Sequence, residues 1–469
     1  MSNRLKWVVT TTCVATLQFL WMPAWADEEP SSLSEQLTKN ANYTFESSLA
    51  RFNRNYSSDT RHVDDSRIEA WNRLQIESKA PLTSGVDLSF KAFGILSTQE
   101  DERHGIFSYP KYRQDRPRQF DFTELKIRSA NDAYDLYAGK MLHTVGVSNI
   151  FSPTNRFNNI DLSNPIHPIE MGVWSTRANI FVGEDTLAVA VVPWQDRVGR
   201  PADSSRWLGA SSSSTSTDAS GSYSGSTPSL SNWNYNFQER YDKSNLRYAG
   251  YFMHYTGSRS GIDFFGVSHI GPSKYAVLAK ETSGTSVTYT KETPQALSLG
   301  GGVSTTSGAW SYYGEAIQQN TFAHRDENFL KYVVGVSYRE TALAERLGLE
   351  EIMPILEQAK EKTSGSQDSS RYLQNSRGVR LGRDTVFFRL SFKKSDKFSY
   401  NVYTTRNFVA ETSSNTGDRS SAWGIGSEYK FNDSLKIKTD LRVFYGDSNT
   451  QFGRWVRNDH FEVGLSYSF

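Results

Sequence analysis

The chain has 469 residues, and its 52 basic and 51 acidic side chains nearly cancel, leaving no one-signed field to recruit nucleic acid. With a mean hydropathy of −0.57 and no run of about 18 apolar residues beyond its first segment, it has no helical membrane span. Its one cysteine, Cys13, excludes a disulfide within the chain and a thiolate metal cluster. Against this polar average stand 33 glycines and 13% aromatic residues. Such a mixture suits strands in which only every second residue meets an apolar medium.

In chain order, Arg4 and Lys6 precede the uncharged run Trp7 to Met22, and Ala24-Trp25-Ala26 forms a small-x-small cleavage site before Asp27. Residues 1–26 read as a secretory signal peptide for Sec export, with Cys13 inside it and no lipobox-like context around it. Residues 27–42 are expected to form a periplasmic lead-in, either a short helix over Ser31 to Asn40 or a disordered stretch. From residue 43 onward the pattern has period two. Tyr43, Phe45 and Leu49 share one face, and Ile68, Ala70, Leu74 and Ile76 share the next. Pro81 to Gly85 then turns the chain into Val86, Leu88, Phe90 and Ala92, a hairpin signal. Leu125 and Ile127 lead through Ser129 to Asp132 into Tyr134, Leu136 and Ala138. Trp174, Thr176, Ala178, Ile180 and Val182 lead through Gly183 to Asp185 into Leu187, Val189 and Val191.

Long polar connections separate these hairpins, the longest being Gln195 to Ser231. Its Ser/Gly/Thr tract, Ala210 to Ser231, has too little apolar surface to order itself. Short turns alternating with long loops fit a barrel that crosses a membrane, with short turns on one side and long loops on the other. Further strands are expected over Asn245 to Tyr255, Gly261 to Ile270, Lys274 to Lys280, Ala296 to Val303, Trp310 to Gln318 and Phe329 to Tyr338. The period then changes: Leu343, Leu347, Ile352, Ile355, Leu356 and Ala359 predict a helix over 341–362, divided near Gly348 and Pro354. Counting strands back from the terminus places this helix on the external side. Hairpins through Lys394 to Lys397 and Asn432 to Ser434 complete the pattern.

The last stretch, His460 to Phe469, alternates Phe461, Val463, Leu465, Tyr467 and Phe469 with small or polar residues. The edge strand of a soluble sandwich alternates in the same way. A terminal strand ending on a carboxy-terminal Phe, however, resembles the closing strand of bacterial outer-membrane β-barrels. That resemblance implies recognition by the barrel-assembly machinery, with these five residues as the assembly signal. Met141 to Val173, which follows Tyr137-Ala138-Gly139-Lys140, is similar to a block in porin-like and alginate-export-like outer-membrane proteins, although it lacks the Arg/Lys-Gln and Trp-Gly pairs of that block.

These readings predict an all-β fold: residues 43–469 as a transmembrane, antiparallel, up-and-down β-barrel of about 18 strands, within a range of about 16 to 20, carrying one short helical loop insertion. Met141 to Val173 is expected to fold into the lumen as a constriction or, alternatively, to stay outside as a loop packed by Phe151, Pro153, Phe157 and Pro165. The candidate pore-lining residues are Arg73, Lys140, His143, Asn149, Asn155, Arg156, Asn158, Asp161 and Arg177, whose side chains suit a polar or anionic solute. The eight histidines have no metal-ligand spacing, and Gly221-Ser222-Tyr223-Ser224-Gly225 places Tyr where a nucleophile elbow needs Ser. No cofactor, metal, catalytic residue or nucleic-acid partner is expected. The expected setting is the Gram-negative outer membrane, with lipid, the assembly machinery and a hydrophilic solute as partners, as a monomer or a homotrimer. The function expected is a porin or export pore for a small solute or polysaccharide; a surface-structural or adhesion barrel binding through its long loops is the competing reading.

Overall fold

The structure, a computed structural model, describes residues 32–54, 66–98, 119–193, 205–208, 238–240, 249–283, 286–410, 417–448 and 450–469. Residues 1–26, read above as a signal peptide, and the tract Ala210 to Ser231 lie outside the described residues. Eighteen strands form the barrel. The first six are β1 (Asn42–Phe52), β2 (Ile68–Thr83), β3 (Val86–Ser97), β4 (Phe120–Ala130), β5 (Tyr134–Met141) and β6 (Val173–Val182). The next six are β7 (Asp185–Val192), β8 (Gly250–Arg259), β9 (Ile262–Pro272), β10 (Gln295–Ser307), β11 (Trp310–Thr321) and β12 (Asn328–Tyr338). The last six are β13 (Glu351–Gly365), β14 (Asp384–Ser395), β15 (Phe398–Asn407), β16 (Ser421–Lys430), β17 (Leu435–Tyr445) and β18 (His460–Ser468).

Each strand pairs antiparallel with its neighbours in the chain, and β1 also pairs with β18, which closes the sheet. Tyr43 and Phe469 exchange backbone hydrogen bonds of 2.9 and 3.0 Å, and their rings stack 5.4 Å apart. Apolar side chains point outward and polar ones inward, the reverse of a soluble barrel. In β18, Phe461 is 48% exposed and Val463 42%, while Glu462 between them is 7% exposed. An outer wall of exposed Leu, Val, Ile and aromatic side chains needs a bilayer around it. At the end of the barrel that carries the short turns, Trp310, Tyr312 and Tyr338 form a contiguous ring cluster, with Tyr429 and Phe431 further round. Aromatic rings belong at such a membrane interface because one edge is apolar and the other tolerates water.

The predicted helix over 341–362 is corrected by the structure. Only Ala342–Arg346 is helical, capped by the Glu340 carboxylate, which accepts the Leu343 N–H at 2.7 Å, and ended by Gly348 at φ +70°. From Glu351 the chain is strand β13, with Ile355, Glu357 and Ala359 buried and Leu356 exposed between them. Pro354 is tolerated because the ladder to β12 stops at Ser337↔Ile355 and resumes only as the bridge Glu340↔Ile352. Restoring this strand to the count moves the short helix from the long-loop end to the short-turn end, beside both chain ends. A seven-residue helix, Leu33–Lys39, occupies the lead-in with a Ser32/Glu35 capping box. Ser78 and Asn40 hold it to the short-turn end of β2 by hydrogen bonds to Leu37 O and from Asn40 to Lys79 O.

Two smaller departures lie at the long-loop end. Residues 274–280 do not extend the barrel; Val277–Ser283 pairs instead with Ser286–Glu292 in a four-stranded sheet completed by Gln238–Arg240 and Tyr372–Gln374. Strand β9 runs on to Pro272, two residues past the expected end at Ile270.

Candidate functional site

Residues 142–172, between β5 and β6, make contacts that only a segment inside the barrel can make. The outgoing leg crosses to the opposite wall. There Glu315 of β11 accepts the Val147 N–H at 2.7 Å, and Glu357 of β13 accepts the N–H groups of Asn149, Ile150 and Phe151, each at 2.8 Å. Phe151 stacks on Phe387 of β14, with ring centroids 5.3 Å apart. Gly146 is required at the crossing: at φ +118°, a Cβ would lie 2.2 Å from Ser152 Oγ and 2.8 Å from Glu315 Oε2. The returning leg reaches the seam, where Asn164 donates to Glu69 at 2.7 Å and His167 Nε2 lies 2.8 Å from Glu462 and 3.1 Å from Ser48 Oγ. The His167 ring stacks on Trp71, 4.2 Å away at an interplanar angle of 7°. The carboxylate fixes the His167 tautomer, because a 2.8 Å contact to an anion needs a proton on that nitrogen.

The base of the segment is cross-linked between its own legs. Asn158 accepts the His143 N–H at 2.7 Å and donates to Glu170 at 2.8 Å, while His143 Nε2 lies 3.0 Å from Ser175 Oγ. Below it, Lys140 and Asp121 form an ion pair of 3.1 Å, each side chain 3% exposed. Val145 and Phe157 then seal the segment onto the wall of β7 to β11 with Ala190, Phe252, Phe265, Val267 and Ile317. Next to that core lies a buried charge network. Arg156 donates to Gln319 and faces the rings of Tyr275 and Phe329; Lys331 pairs with Glu361 at 3.0 Å, and Arg380 pairs with Glu361 at 2.7 Å and Glu327 at 3.0 Å. Lys331 and Arg380 are tolerated this deep because carboxylates stand against them, whereas Arg156 rests on an amide oxygen and two ring faces.

The far side of the segment is open. A cavity of about 410 Å³ lies between its returning leg and the inner faces of β15 to β18, β1 and β2. Here ion pairs sit at the wet surface: Arg73–Glu46 at 2.6 Å, Lys438–Glu428 at 3.7 Å and Arg442–Asp440 at 2.8 Å. Tyr403 donates to Asp440 at 2.8 Å and accepts from Arg442 at 2.9 Å. Thus one half of the lumen is packed and the other is lined by hydrated charge.

The predicted site residues divide across this boundary. Arg73 faces the open half. Arg177 lies on the inner face of β6 with its guanidinium 4.9 Å from the Tyr137 ring centroid. Asn149 has an exposed side chain, and its backbone N–H is what Glu357 holds. Asn155 is half-buried, with its amide 3.5 Å from Glu170. Lys140, His143, Arg156, Asn158 and Asp161 are buried; Asp161 turns its carboxylate back to the Ser163 N–H at 2.9 Å. All five are held in the packed half, away from the open cavity. Sequence reasoning missed the wall residues that hold it, namely Glu69, Glu315, Glu357 and Glu462. Glu315 and Glu462 are visible only as polar-face residues of strands, and Glu357 falls within the mistaken helix. Among the described residues, no group of three or more His, Asp or Glu is arranged to hold a metal ion.

Burial, with Arg177 nearby, lowers the His143 imidazole from its ordinary range to about 3. The unfolded chain takes up a proton below about pH 6.5, where the folded one does not, so this residue's contribution is intact above that pH and is lost as pH falls toward about 3. The folded barrel is therefore expected to lose stability progressively across that window through this group. Thermal unfolding midpoints of wild type and His143→Asn, compared from pH 7 to 4, should converge or cross as the pH falls. Parallel curves would remove this role for His143.

Comparisons with protein-family models and with curated protein sequences found no match. Among solved structures, the crystal structure of Acinetobacter baumannii OccAB3 is similar with a TM-score of 0.51 at 9% identity, over 92% of this chain and 98% of that one. A mutant of the Rh. blastica porin aligns with a TM-score of 0.40 at 11% identity, over 92% of this chain and 99% of that one. At such identities the likeness is one of fold, and that fold is a closed, porin-like antiparallel β-barrel.

Proposed function

We propose that this porin-like outer-membrane barrel is a channel in which a small hydrophilic solute passes between the segment 142–172 and the inner faces of β15 to β18, β1 and β2. The observation that carries this reading is the path of the segment: two wall carboxylates hold it across the lumen, and it leaves a charged, hydrated wall uncovered. Eighteen strands enclose enough space for such an arrangement, since barrels of about 16 to 18 strands leave an aqueous passage where eight-stranded ones fill themselves. Ion pairs along the open wall replace the water that a solute sheds. Passage of a solute needs no bond-making chemistry, and no residue is assigned a catalytic role. Assembly as a homotrimer belongs to the same proposal and is read from the mass of the detergent-solubilised particle.

Planar bilayers test the channel. Purified, folded protein should give current steps of uniform size, and deleting Asn149 to Asp161 should enlarge them by removing the obstruction. A folded protein that leaves the bilayer silent would overturn the proposal, as would a deletion that leaves step size unchanged.

A further inference from the structure

We infer that the recess behind the returning leg is a binding subsite for small zwitterions, molecules carrying one carboxylate and one ammonium group within a few bonds of each other. This rests on the channel reading for its purpose, though not for its geometry. The recess exists because its floor has almost no side chains. Lys438 of β17 pairs with Gly464 of β18, which pairs with Ser48 of β1. Gly464 lines the cavity, and a Cβ placed on it would make only ordinary contacts, the nearest at 3.7 Å, so a larger side chain fits there without a clash.

The rim of this floor carries both signs. Lys438 and Arg442 rise from β17, and Glu428, Asp440, Glu462 and Glu46 surround them. Lys438 is the loosest of these groups: its side chain is 54% exposed and its amino group 3.7 Å from Glu428, beyond hydrogen-bonding distance, so it can turn to a ligand carboxylate. Glu46 stands two strands away, about 9 to 10 Å across the sheet, and Glu462 lies one strand away on the diagonal. A ligand lying over Gly464 and Ser466 therefore has the Lys438 cation on one side and the Glu46 carboxylate on the other. Here the charge pattern decides the ligand class. A simple anion over Lys438 is brought against Glu462 and Glu428, and a simple cation over Glu46 is brought against Arg73 and Lys438; each meets repulsion along with its attraction. A molecule with both charges matches both ends.

The test uses folded, detergent-solubilised full-length protein and isothermal titration with L-alanine. Acetate, methylammonium and lactamide serve as the singly charged and uncharged comparisons. L-Alanine is expected to bind at least ~10-fold more tightly than any of the three, and Lys438→Gln and Glu46→Gln each to weaken it by ~10-fold. Gly464→Leu fills the floor without disturbing a charge and is expected to abolish binding while the heat-modifiable band of the folded barrel remains. Equal affinity for lactamide or acetate, or unaltered binding by Gly464→Leu, would overturn the proposal. Current steps without L-alanine binding would leave the channel standing and remove the subsite; binding without current would do the reverse.

Discussion

Replacing Glu357 with Ala is expected to release the tip of the lumenal segment and enlarge the current steps of the barrel. Its carboxylate, wholly buried, accepts three successive backbone N–H groups, from Asn149, Ile150 and Phe151, as well as the Tyr313 hydroxyl at 2.8 Å. A backbone donor left without an acceptor in a dry site costs about 1–3 kcal/mol, and three of them together exceed what one stacked ring pair returns. The tip then moves to water. Glu357→Gln keeps one acceptor oxygen but turns a donor toward donors, so its steps should lie between those of wild type and Glu357→Ala. Leu356→Ala, one residue away on the bilayer face, should leave step size unchanged. Were Glu357→Ala to conduct like wild type with the barrel folded, the tip would not depend on this anchor.

Arg380→Met is expected to give the largest loss of stability, about 3–5 kcal/mol, because it removes one partner from a buried ionic cluster. The Arg380 guanidinium is wholly buried and reaches Glu361, Glu327 and the Ser376 hydroxyl at 2.7 to 3.0 Å, with the Phe329 ring centroid 4.3 Å away. Methionine fills the space and leaves the carboxylates short of positive charge. The temperature at which the folded band converts on electrophoresis should fall markedly, whereas Lys360→Gln, on the exposed outer face of β13, should convert with wild type. Matching transitions for Arg380→Met and wild type would mean that Lys331 and Arg377 suffice for the cluster.

How much of this was legible follows from what each residue faces. Outward residues such as Phe461, Val463 and Leu465 meet a uniform apolar medium, so their period survives in the sequence, and the hairpins and closing strand could be read directly. The strand at Glu351–Gly365 could not, because Ile352, Ile355, Leu356 and Ala359 fall at three- and four-residue spacings that satisfy a helix as well. What decides it is pairing with β12 and β14, a property of residues far away in the chain. Inward residues answer to individual neighbours. Lys140, His143, Arg156 and Asn158 look like wet lumenal groups, yet the apolar seal of Val145 and Phe157 against β7 to β11 buries the region around them. Glu357 and Glu428 are alike in sequence; only the path of a segment 200 residues upstream makes one a clamp and the other part of a water-lined wall.

The seam between first and last strands carries a consequence for biogenesis. Its partners Thr44 and Ser468 are 424 positions apart, so the ring cannot shut before the final strand has been made and set beside the first. Until then two unsatisfied strand margins remain, each able to recruit a foreign strand. A chain interrupted before β18 is thus left permanently ajar, with both margins exposed to stray pairing.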